Sequence, residues 1–399
     1  MITVEQAEEK ISREWTPRAI EKIPFGCSTG RILRASIKAD RPLPPYDRVM
    51  MDGVVISAAG WATGQRNFQL AGLQLPGVSP IALENPKCCI KAMTGAPMPK
   101  GCTFVVPREE FEEEGDMICI NESFQPIAEH YLHRCGTDCA VGDELISSGT
   151  KLGPNEIAVA ASCGQEMIAV TQKIKLLVID TGDELVEVGE PLTPYQIRRS
   201  NAHLITSACS QMAFVDATST HCPDDKTLLS QRVASSLHAH DVILLCGGVS
   251  KGDRDYVPAV LKENGVEKCF HWVNQRPGKP LWFGRQPRGP LVFGLPGNPL
   301  SVLISFHRYV KAALLGLAGA TPDETIKVAL TERINLGSPK TIFLPVNLHS
   351  GKEGVLGAAP SFPKNSGDFA SVLGTDGFIQ LPSDQENAPA GFVATFFPW

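Results

Sequence analysis

Between residues 173 and 316, short apolar runs alternate with segments of helical periodicity, and this alternation limits the fold more than any other feature of the chain. Strands that alternate with helices in this way form a doubly wound, mostly parallel sheet with helices on both faces. The predicted strands are 174–179, 213–218, 242–246, 267–273, 281–284 and 291–294. The predicted helices lie near 200–212, 224–238, 257–264 and 299–315.

The chain has 399 residues, which is too long for one ordinary domain, and its pattern changes along its length. We predict an α/β multidomain protein in which a helical and extended N-terminal domain is interrupted by a small β domain. Residues 25–39 in the first part also predict a second short helix. The predicted domains are 1–40 plus 135–170 (discontinuous N-terminal), 41–134 (inserted β), 171–318 (α/β) and 319–399 (C-terminal, β-barrel-like).

Composition excludes several classes of protein. The net charge of −6 argues against a general nucleic-acid binder, and 43% hydrophobic residues argue against disorder. The 12 cysteines form no C-x-x-C pair and are typical of reduced thiols in a cytosolic protein. The most apolar stretch, 300–320, contains His307, Arg308 and Lys311, which predicts a helix of a soluble protein and not a membrane span. We therefore expect a cytoplasmic protein that contacts no membrane.

The loop after strand 242–246 carries several groups suited to chemistry. Gly247 and Gly248 allow a sharp turn or a close approach of ligand to backbone. Ser250 and Lys251 suit a phosphate, and Asp253 and Asp255 are the hard oxygen ligands that Mg²⁺ takes. A polar loop without a ligand is the alternative interpretation.

Three more loops follow predicted strands of the same sheet. Asp183 and Glu184 follow the first strand, where they could hold a metal or simply begin a helix. Arg276 and Lys279 flank a Pro-Gly turn, which favours an anion clamp over ordinary surface cations. The segment 294–299 contains two prolines at a helix start, which is either an anion site or only a helix cap.

Ligands of open α/β sheets bind at the carboxyl ends of the strands, and parallel strands present those ends at one edge. The four loops together supply cations, a helix N-terminus and at least four carboxylates. The residues alone therefore predict an enzyme that binds a phosphorylated or nucleotide-like ligand with a divalent metal.

The motifs in these loops resemble those of the molybdopterin molybdenumtransferase family, which is similar to the C-terminal domain of gephyrin. The resemblance covers essentially the whole chain in order. It is carried by TGDEL (181–185), GGVSKGDRDY (247–256), PGKP (277–280), GLPGNP (294–299), MMDG (50–53), MTGAP (93–97), RCGTD (134–138) and the serine- and leucine-containing segment 366–377.

The resemblance implies a homodimer built through the discontinuous N-terminal domain, with a molybdopterin-binding α/β domain whose cleft faces the inserted domain of the partner. It also implies a reaction in which adenylylated molybdopterin and molybdate give molybdenum cofactor and AMP with Mg²⁺ as cofactor. A molybdopterin adenylyltransferase and acceptor molybdoenzymes are the implied partners.

Position by position, the resemblance also implies roles for individual residues. The implied catalytic residues are Asp52, Asp138, Glu184, Asp255 and Lys279. The implied substrate-binding residues are Thr94, Thr181, Gly182, Asp183, Gly247, Gly248, Ser250, Arg276, Pro296, Gly297, Asn298 and Pro299. The implied metal ligands are Glu184, Asp253 and Asp255.

Several positions depart from the family pattern. Where the family usually has Asn-Ser or Arg-Ser before the A-M-D-G motif, this chain has Arg48-Val49, so an apolar group replaces a hydroxyl; Thr137 replaces a glutamate, and Arg276 replaces a lysine. These departures leave an alternative open, a non-catalytic molybdopterin carrier or scaffold of the same fold. A third reading, adenylylation of molybdopterin, is disfavoured because those enzymes resemble only the α/β domain.

Overall fold

A computed structural model describes residues 1–250, 252, 254–337, 339–351 and 354–399. Its α-helices are α1 (Val4–Ser12), α2 (Ala58–Ala62), α3 (Pro154–Ser162), α4 (Asn201–Ser210), α5 (Lys226–Ser236), α6 (Val257–Glu263), α7 (Pro299–Ser305) and α8 (Lys311–Ala318). A π-helical turn, Phe306–Val310, joins α7 to α8.

The strands fall into three groups along the chain. The first part of the chain contains β1 (Ile20–Pro24), β2 (Ile37–Lys38), β3 (Arg48–Val49), β4 (Gly53–Ile56), β5 (Asn67–Gln74), β6 (Cys88–Ala92), β7 (Phe104–Pro107), β8 (Phe111–Glu114), β9 (Met117–Ile120), β10 (Leu132–His133), β11 (Glu144–Ile146) and β12 (Met167–Thr171). The middle contains β13 (Ile174–Thr181), β14 (Leu185–Val186), β15 (Ile197–Arg198), β16 (Val215–Cys222), β17 (Val242–Cys246), β18 (Glu267–His271), β19 (Gln275–Arg276), β20 (Trp282–Arg285) and β21 (Leu291–Leu295). The last part contains β22 (Ile326–Leu330), β23 (Ile334–Asn335), β24 (Thr341–Ser350), β25 (Leu356–Pro360), β26 (Gly377–Leu381), β27 (Asn387–Ala388) and β28 (Val393–Pro398).

The chain divides into two compact units. The first unit comprises 1–35, 148–157 and 166–399, and the second comprises 36–147 and 158–165. The second unit is therefore inserted into the first in sequence. The four domain boundaries inferred from the sequence remain predictions.

The first unit contains a six-stranded sheet in the order β16-β13-β17-β21-β20-β18. Strands β16, β13, β17 and β21 pair in parallel, while β20 is antiparallel to both of its neighbours. Because β18 is antiparallel to β20, it runs in the same direction as β21. The prediction of a mostly parallel sheet is confirmed, and five of the six strands end at one edge.

Strand β17 shows why this sequence forms a central strand. All five of its residues are buried, and its alternate side chains enter two different cores. Val242, Leu244 and Cys246 pack into one cluster, while Ile243 and Leu245 pack into the other. Each such side chain stabilises the fold by about 1.5–3 kcal/mol when buried. A strand covered on both faces therefore reads as an unbroken apolar run.

Helices close one face of this sheet. Helix α1 begins with a capping box between Thr3 and Gln6, and its buried Val4, Ala7 and Ile11 join the larger core.

The prediction of a second short helix within 25–39 is wrong, because that segment contains only a three-residue 3₁₀ turn before β2.

Helices α7 and α8 form one 20-residue stretch. Among the described residues this stretch alone is long and apolar enough to cross a membrane, yet 67% of its most apolar window is buried inside the domain. Its side chains belong to the same cluster as the sheet, which is typical of a core helix.

The C-terminal part of the first unit is a closed five-stranded barrel. Its strands pair in the order β24-β25-β22-β28-β26, and β26 returns to β24. The predicted β-barrel-like C-terminal domain is confirmed. Closure leaves no free edge among these strands, which removes a site for unwanted pairing.

The second unit is built on a six-stranded sheet in the order β7-β4-β6-β5-β9-β8. Strand β4 lies between β6 and β7, and all of its residues are buried. Its pairing with β6 places Gly53 opposite Ala92. The turns that adjoin these two strands, at Asp52 and Thr94, are therefore neighbours.

Candidate active site

The largest grouping of predicted site residues lies in a cleft of about 870 Å³ at the carboxyl edge of the sheet in the first unit. We call it the carboxylate cleft. The predicted residues that line it are Thr181, Gly182, Glu184, Gly247, Gly248, Ser250, Asp255, Pro296, Gly297, Asn298 and Pro299. Loops from β13, β17 and β21 thus converge there, as the sequence predicts.

Packing between β13 and β17 explains the glycine at position 247. The two strands pair in parallel with Asp180 opposite Cys246, so the residues that follow them adjoin. Gly247 has a φ of 97°, which side chains rarely adopt. A Cβ there would also lie 2.8 Å from Thr181 Oγ1 and 2.9 Å from the Thr181 carbonyl oxygen. Only glycine allows the β17 turn to lie against Thr181.

Acidic side chains gather at this edge. The Asp224 amide donates to Asp183 Oδ1 over 3.0 Å, and Asp224 lines the cleft with Glu184. Burial raises the pKa of Asp224, and the negative charges of Asp183 and Glu184 raise it further. Asp255 Oδ2 accepts from the Gly252 amide over 2.6 Å, which fixes its carboxylate on its own loop. Arg254 Nη1 lies 3.5 Å from Asp183 Oδ2 and offsets part of this charge, so among the described residues Glu184, Asp224 and Asp255 are the cleft carboxylates without an ion-pair partner.

The acidic residues of this cleft suit a cation that takes its remaining ligands from the substrate and from water. Among the described residues, no group of three or more His, Cys, Asp or Glu side chains is arranged to hold a metal. Mg²⁺ commonly takes only one or two protein carboxylates and completes its shell with substrate phosphates and water. Glu184 and Asp255, which both line the cleft, are the two described carboxylates of the predicted ligand set. The predicted ligand Asp253, like Lys251, lies outside the described residues.

One wall of the carboxylate cleft carries a buried ion pair. Asp180 is 1% exposed and Arg199 is 8% exposed, and Arg199 Nε lies 3.5 Å from Asp180 Oδ2. Arg199 also donates to Glu187 through Nη1. Burial raises the pKa of Asp180, and the Arg199 charge opposes that rise.

Arg276 and Lys279 lie in a second cleft, of about 600 Å³, which we call the cationic cleft. Lys340 and Lys364 line it as well. Among the described residues, none of these four side chains has a carboxylate partner within ion-pair distance. Four uncompensated cations around one cavity favour an anionic ligand.

A buried glutamine holds the loop that carries these cations. Gln275 is 1% exposed, and its amide nitrogen donates to the carbonyls of Pro277 and Gly278 over 3.2 Å each. Its amide oxygen accepts from the hydroxyl of Tyr309. The Pro-Gly turn is therefore braced from the core, while Arg276 and Lys279 on either side stay exposed.

The two clefts share a wall. Pro280, Pro296 and Asn298 line both of them. Asn298 does not cap helix α7 with its side chain, which instead donates to Ser366 Oγ of the C-terminal domain over 2.6 Å. The sequence predicted one site from these loops, and the structure forms two adjoining clefts from them.

The second unit contains the other predicted residues. Both the amide and the hydroxyl of Thr94 donate to Asp52 Oδ1, over 2.6 Å and 2.7 Å. These two hydrogen bonds lower the pKa of Asp52, the backbone bond having the larger effect. Asp52 is thus held as a carboxylate by its neighbour across the β4–β6 pair.

Replacing Thr94 by valine removes the hydroxyl donor and keeps the backbone donor and the side-chain shape. We expect the pKa of Asp52 to rise toward its ordinary value, as measured by a ¹³C carboxylate titration with labelled aspartate. Thr94→Ser is the control that keeps the hydroxyl. An unchanged Asp52 titration in Thr94→Val would show that the hydroxyl contributes nothing.

Asp138 belongs to a chain of three side chains. Strands β3 and β10 pair with Arg48 opposite His133. Arg48 Nη2 lies 3.0 Å from His133 Nδ1, and His133 Nε2 lies 2.8 Å from Asp138 Oδ1. Because arginine only donates, Nδ1 accepts and Nε2 carries the proton that is donated to Asp138.

Three of the positions named as departures from the family pattern make defined contacts in this fold. Arg48 is the first member of the chain that orients Asp138. Val49 is fully buried in a small core with Val55 and Ile90, so an apolar side chain suits it. The Thr137 hydroxyl donates to the Arg134 carbonyl over 2.9 Å.

Several cleft residues were missed from the sequence. Asp224 lies two residues after the end of strand β16, and its place near a strand end was a usable signal. The others are Asp180, Arg199, Asn201, Lys340, Lys364 and Phe369. Arg199 and Asn201 lie beside a short loop that reads as an ordinary polar connection, and Lys340 and Lys364 come from a part of the sequence far from the other loops.

Three family descriptions match consecutive parts of the chain. Residues 2–164 match the MoeA N-terminal region (domain I and II), and residues 177–316 match a probable molybdopterin binding domain. Residues 327–399 match the MoeA C-terminal region (domain IV).

Whole proteins are similar over the same extent. A molybdopterin molybdenumtransferase of Synechocystis sp. is 36% identical over 400 residues, covering 100% of both chains. One from Staphylococcus epidermidis is 29% identical, covering 98% of this chain and 94% of its own. The crystal structure of a molybdopterin biosynthesis MoeA protein from Pyrococcus horikoshii matches with a TM-score of 0.82 and 27% identity, covering 100% of this chain and 99% of that one. The chain therefore belongs to the molybdopterin molybdenumtransferase family and is a transferase of molybdenum cofactor biosynthesis.

Proposed function

We propose that this transferase inserts molybdenum into adenylylated molybdopterin, releases AMP and depends on Mg²⁺. The observation that carries the proposal is the shared wall of Pro280, Pro296 and Asn298 between an acidic and a basic cleft. The reaction brings together a phosphate-containing substrate with its metal and a separate oxyanion. These two reactants need an acidic and a basic environment next to each other.

The cationic cleft suits molybdate, which is a tetrahedral oxyanion. Arg276 and Lys279 offer charge from the braced Pro-Gly loop, and Lys340 and Lys364 offer it from the C-terminal domain. Guanidinium and ammonium groups without carboxylate partners break no ion pair within the protein when they bind an anion. We assign the molybdate substrate to this cleft.

The carboxylate cleft suits the adenylylated pterin and its metal. Glu184 and Asp255 would hold Mg²⁺, with the predicted ligand Asp253 as a third candidate. A Mg²⁺ ion held by these residues would supply positive charge that offsets the charge developing on the departing AMP. The glycine turn at 247–248 lets the phosphates approach the backbone closely.

The other predicted catalytic carboxylates, Asp52 and Asp138, belong to the second unit. Asp52 accepts two hydrogen bonds from Thr94, and Asp138 accepts one from His133, so both are oriented before substrate binds. A homodimer, a molybdopterin adenylyltransferase that supplies the substrate and molybdoenzymes that accept the product belong to the same proposal. So does a cytoplasmic location.

The test is release of AMP from adenylylated molybdopterin by the purified protein, with and without molybdate and with and without Mg²⁺. We expect release that needs both ions. Asp255→Ala and Lys279→Ala should each lower the rate by about 10²–10³-fold, which is typical for loss of one charge-stabilising group. Asp216→Ala and Lys268→Ala are matched controls, because both side chains are exposed and outside the two clefts.

The outcomes separate the candidate functions. Tight binding of the adenylylated pterin without release of AMP would contradict the transferase reaction and favour the carrier. Release that is independent of Mg²⁺ would remove the metal from the proposal. Equal loss of activity in the control variants would show that the cleft assignment is wrong.

A further inference from the structure

The loop that carries Arg276 and Lys279 into the cationic cleft is fixed at both of its ends. Strand β19, which contains Arg276, pairs in parallel with β24. At the other end, the Lys279 carbonyl accepts from the Val273 amide over 3.0 Å. The Pro-Gly turn between these two anchored ends therefore sets the spacing of the two cations.

Gln275 supports that turn, and its amide group has only one orientation that pairs all of its atoms. The side chain is 1% exposed, and its nitrogen donates to the carbonyls of Pro277 and Gly278. Because carbonyls only accept, the nitrogen must face the turn. The amide oxygen then faces the hydroxyl of Tyr309, which donates to it.

Tyr309 acts on the loop from inside the core. Its hydroxyl comes from the π-helical turn between α7 and α8, and the residue is 1% exposed. Burial raises the pKa of this hydroxyl above its ordinary value, so it stays protonated and remains the donor. Tyr309 is not among the described residues that line the two clefts. Its effect on a ligand of the cationic cleft is therefore expected to pass through Gln275.

The turn packs directly on this support. Gly278 has a φ of 83°, and a Cβ there would lie 2.8 Å from Gln275 Nε2 and 2.8 Å from Ser305 Oγ. Ser305 is fully buried on α7. No gap separates the turn from the glutamine amide, so a side chain at 275 that cannot make these hydrogen bonds would leave the turn free to move.

We propose that Gln275 and Tyr309 are a pair of positioning residues that set the affinity of the cationic cleft for its oxyanion by fixing the spacing of Arg276 and Lys279. Cations that are already held in place bind an anion more tightly than cations on a mobile loop, which must be ordered on binding. Gln275 itself has no donor left for the ligand, because the loop carbonyls use both. The inference rests on the proposed function, which assigns molybdate to this cleft.

The first test measures molybdate binding to the purified protein by isothermal titration calorimetry, without any pterin. Tyr309→Phe removes only the hydroxyl, whereas Gln275→Met keeps the side-chain length and removes the hydrogen bonds to the turn and to Tyr309. We expect each variant to bind molybdate about tenfold more weakly than wild type. Tyr195→Phe and Gln211→Met are the matched controls, because both side chains are exposed and outside the two clefts, and they should bind like wild type.

The double variant distinguishes a coupled pair from two independent effects. If Tyr309 acts through Gln275, then Gln275→Met with Tyr309→Phe should bind molybdate no more weakly than Gln275→Met alone. Additive losses would contradict the pairing, and wild-type affinity in both single variants would overturn the inference as a whole. Thermal unfolding shows which variants fold, and Tyr309→Phe decides the outcome if Gln275→Met does not fold.

Steady-state kinetics distinguish positioning from a general loss of structure. Positioning predicts a higher KM for molybdate, an unchanged KM for adenylylated molybdopterin and a kcat that recovers at saturating molybdate. A variant with a lower kcat and an unchanged KM for molybdate would show that the pair only stabilises the fold.

The binding measurement does not depend on turnover. A wild-type protein that releases AMP, with an affinity for molybdate that neither variant changes, keeps the proposed function and loses this inference. A wild-type protein that binds molybdate more tightly than both variants but releases no AMP keeps this inference and loses the transferase reaction. A wild-type protein that binds no molybdate overturns this inference whether or not AMP is released.

Discussion

Replacing Arg199 by methionine is expected to lower the free energy of unfolding of the α/β domain by about 3–5 kcal/mol. The substitution keeps most of the side-chain volume and removes the charge that faces Asp180, whose side chain is 2% exposed. A buried carboxylate without its partner is far less stable than the same carboxylate in water. Urea unfolding monitored by tryptophan fluorescence measures the change, because Trp282 of β20 is buried in the same core cluster as Ile243 and Leu245 of β17.

The loss in Arg199→Met should depend on pH with a known sign. Burial already raises the pKa of Asp180 above its ordinary value of 3.8, and Arg199 opposes this. Without Arg199 the folded-state pKa rises further, so the variant loses stability as pH rises through that value. The difference from wild type should therefore be smaller at about pH 5 than at about pH 8.

Two variants control for this result. Arg198→Met removes an exposed neighbouring charge and should change stability by less than about 0.5 kcal/mol. The double variant Asp180→Asn with Arg199→Met should recover most of the stability, because no buried charge remains. A double variant as unstable as Arg199→Met would show that packing, and not charge, causes the loss.

Replacing Gly53 by alanine is expected to destabilise the sheet of the second unit by about 3 kcal/mol or more. Strand β4 lies between two strands, and a Cβ at Gly53 would lie 2.0 Å from the Val106 carbonyl oxygen. That oxygen belongs to the backbone of β7, so no side-chain rotation relieves the contact. Differential scanning calorimetry should show a lower melting temperature for the transition of this unit.

The same change elsewhere should have little effect. Gly26→Ala is the matched control, because a Cβ there meets no atom within 4 Å. Gly53→Ala should also disturb Asp52, which precedes it directly, and under the proposed reaction it should therefore slow the release of AMP as well. A Gly53→Ala protein with wild-type melting would mean that β4 and β7 separate at no measurable cost.

Much of the first unit could be predicted because its signals are local. Val242 to Leu245 read as a buried strand from four consecutive residues, and Gly247 after them marks the turn at the edge of the carboxylate cleft. Two strands joined by a helix run parallel to each other, so their carboxyl ends lie at the same edge of the sheet. The edge at which the loops meet could therefore be predicted as well. Strand β18 is antiparallel to β20, and β20 is antiparallel to β21. Strand β18 therefore runs in the same direction as β21 and ends at the same edge of the sheet.

The remainder depends on contacts between residues far apart in sequence. Asp52 and Thr94 meet because Gly53 pairs with Ala92, and nothing in either segment alone specifies that pairing. Lys364 enters the cationic cleft only because the loop before β26 packs against the start of α7. Arg199 follows an exposed residue and reads as another surface charge, although it is buried.

The segment from Pro296 to Asn298 contributes residues to both clefts, so a ligand that displaces it in one cleft also changes the shape of the other. Its two ends are restrained, by β21 on one side and by the hydrogen bond to Ser366 on the other. An occupant of one cleft that displaces this segment must change the affinity of the other cleft. By linkage, the second occupant must change the affinity for the first by the same factor. Oxyanion and pterin would then bind as cooperating or competing ligands, with a single coupling constant measurable from either side.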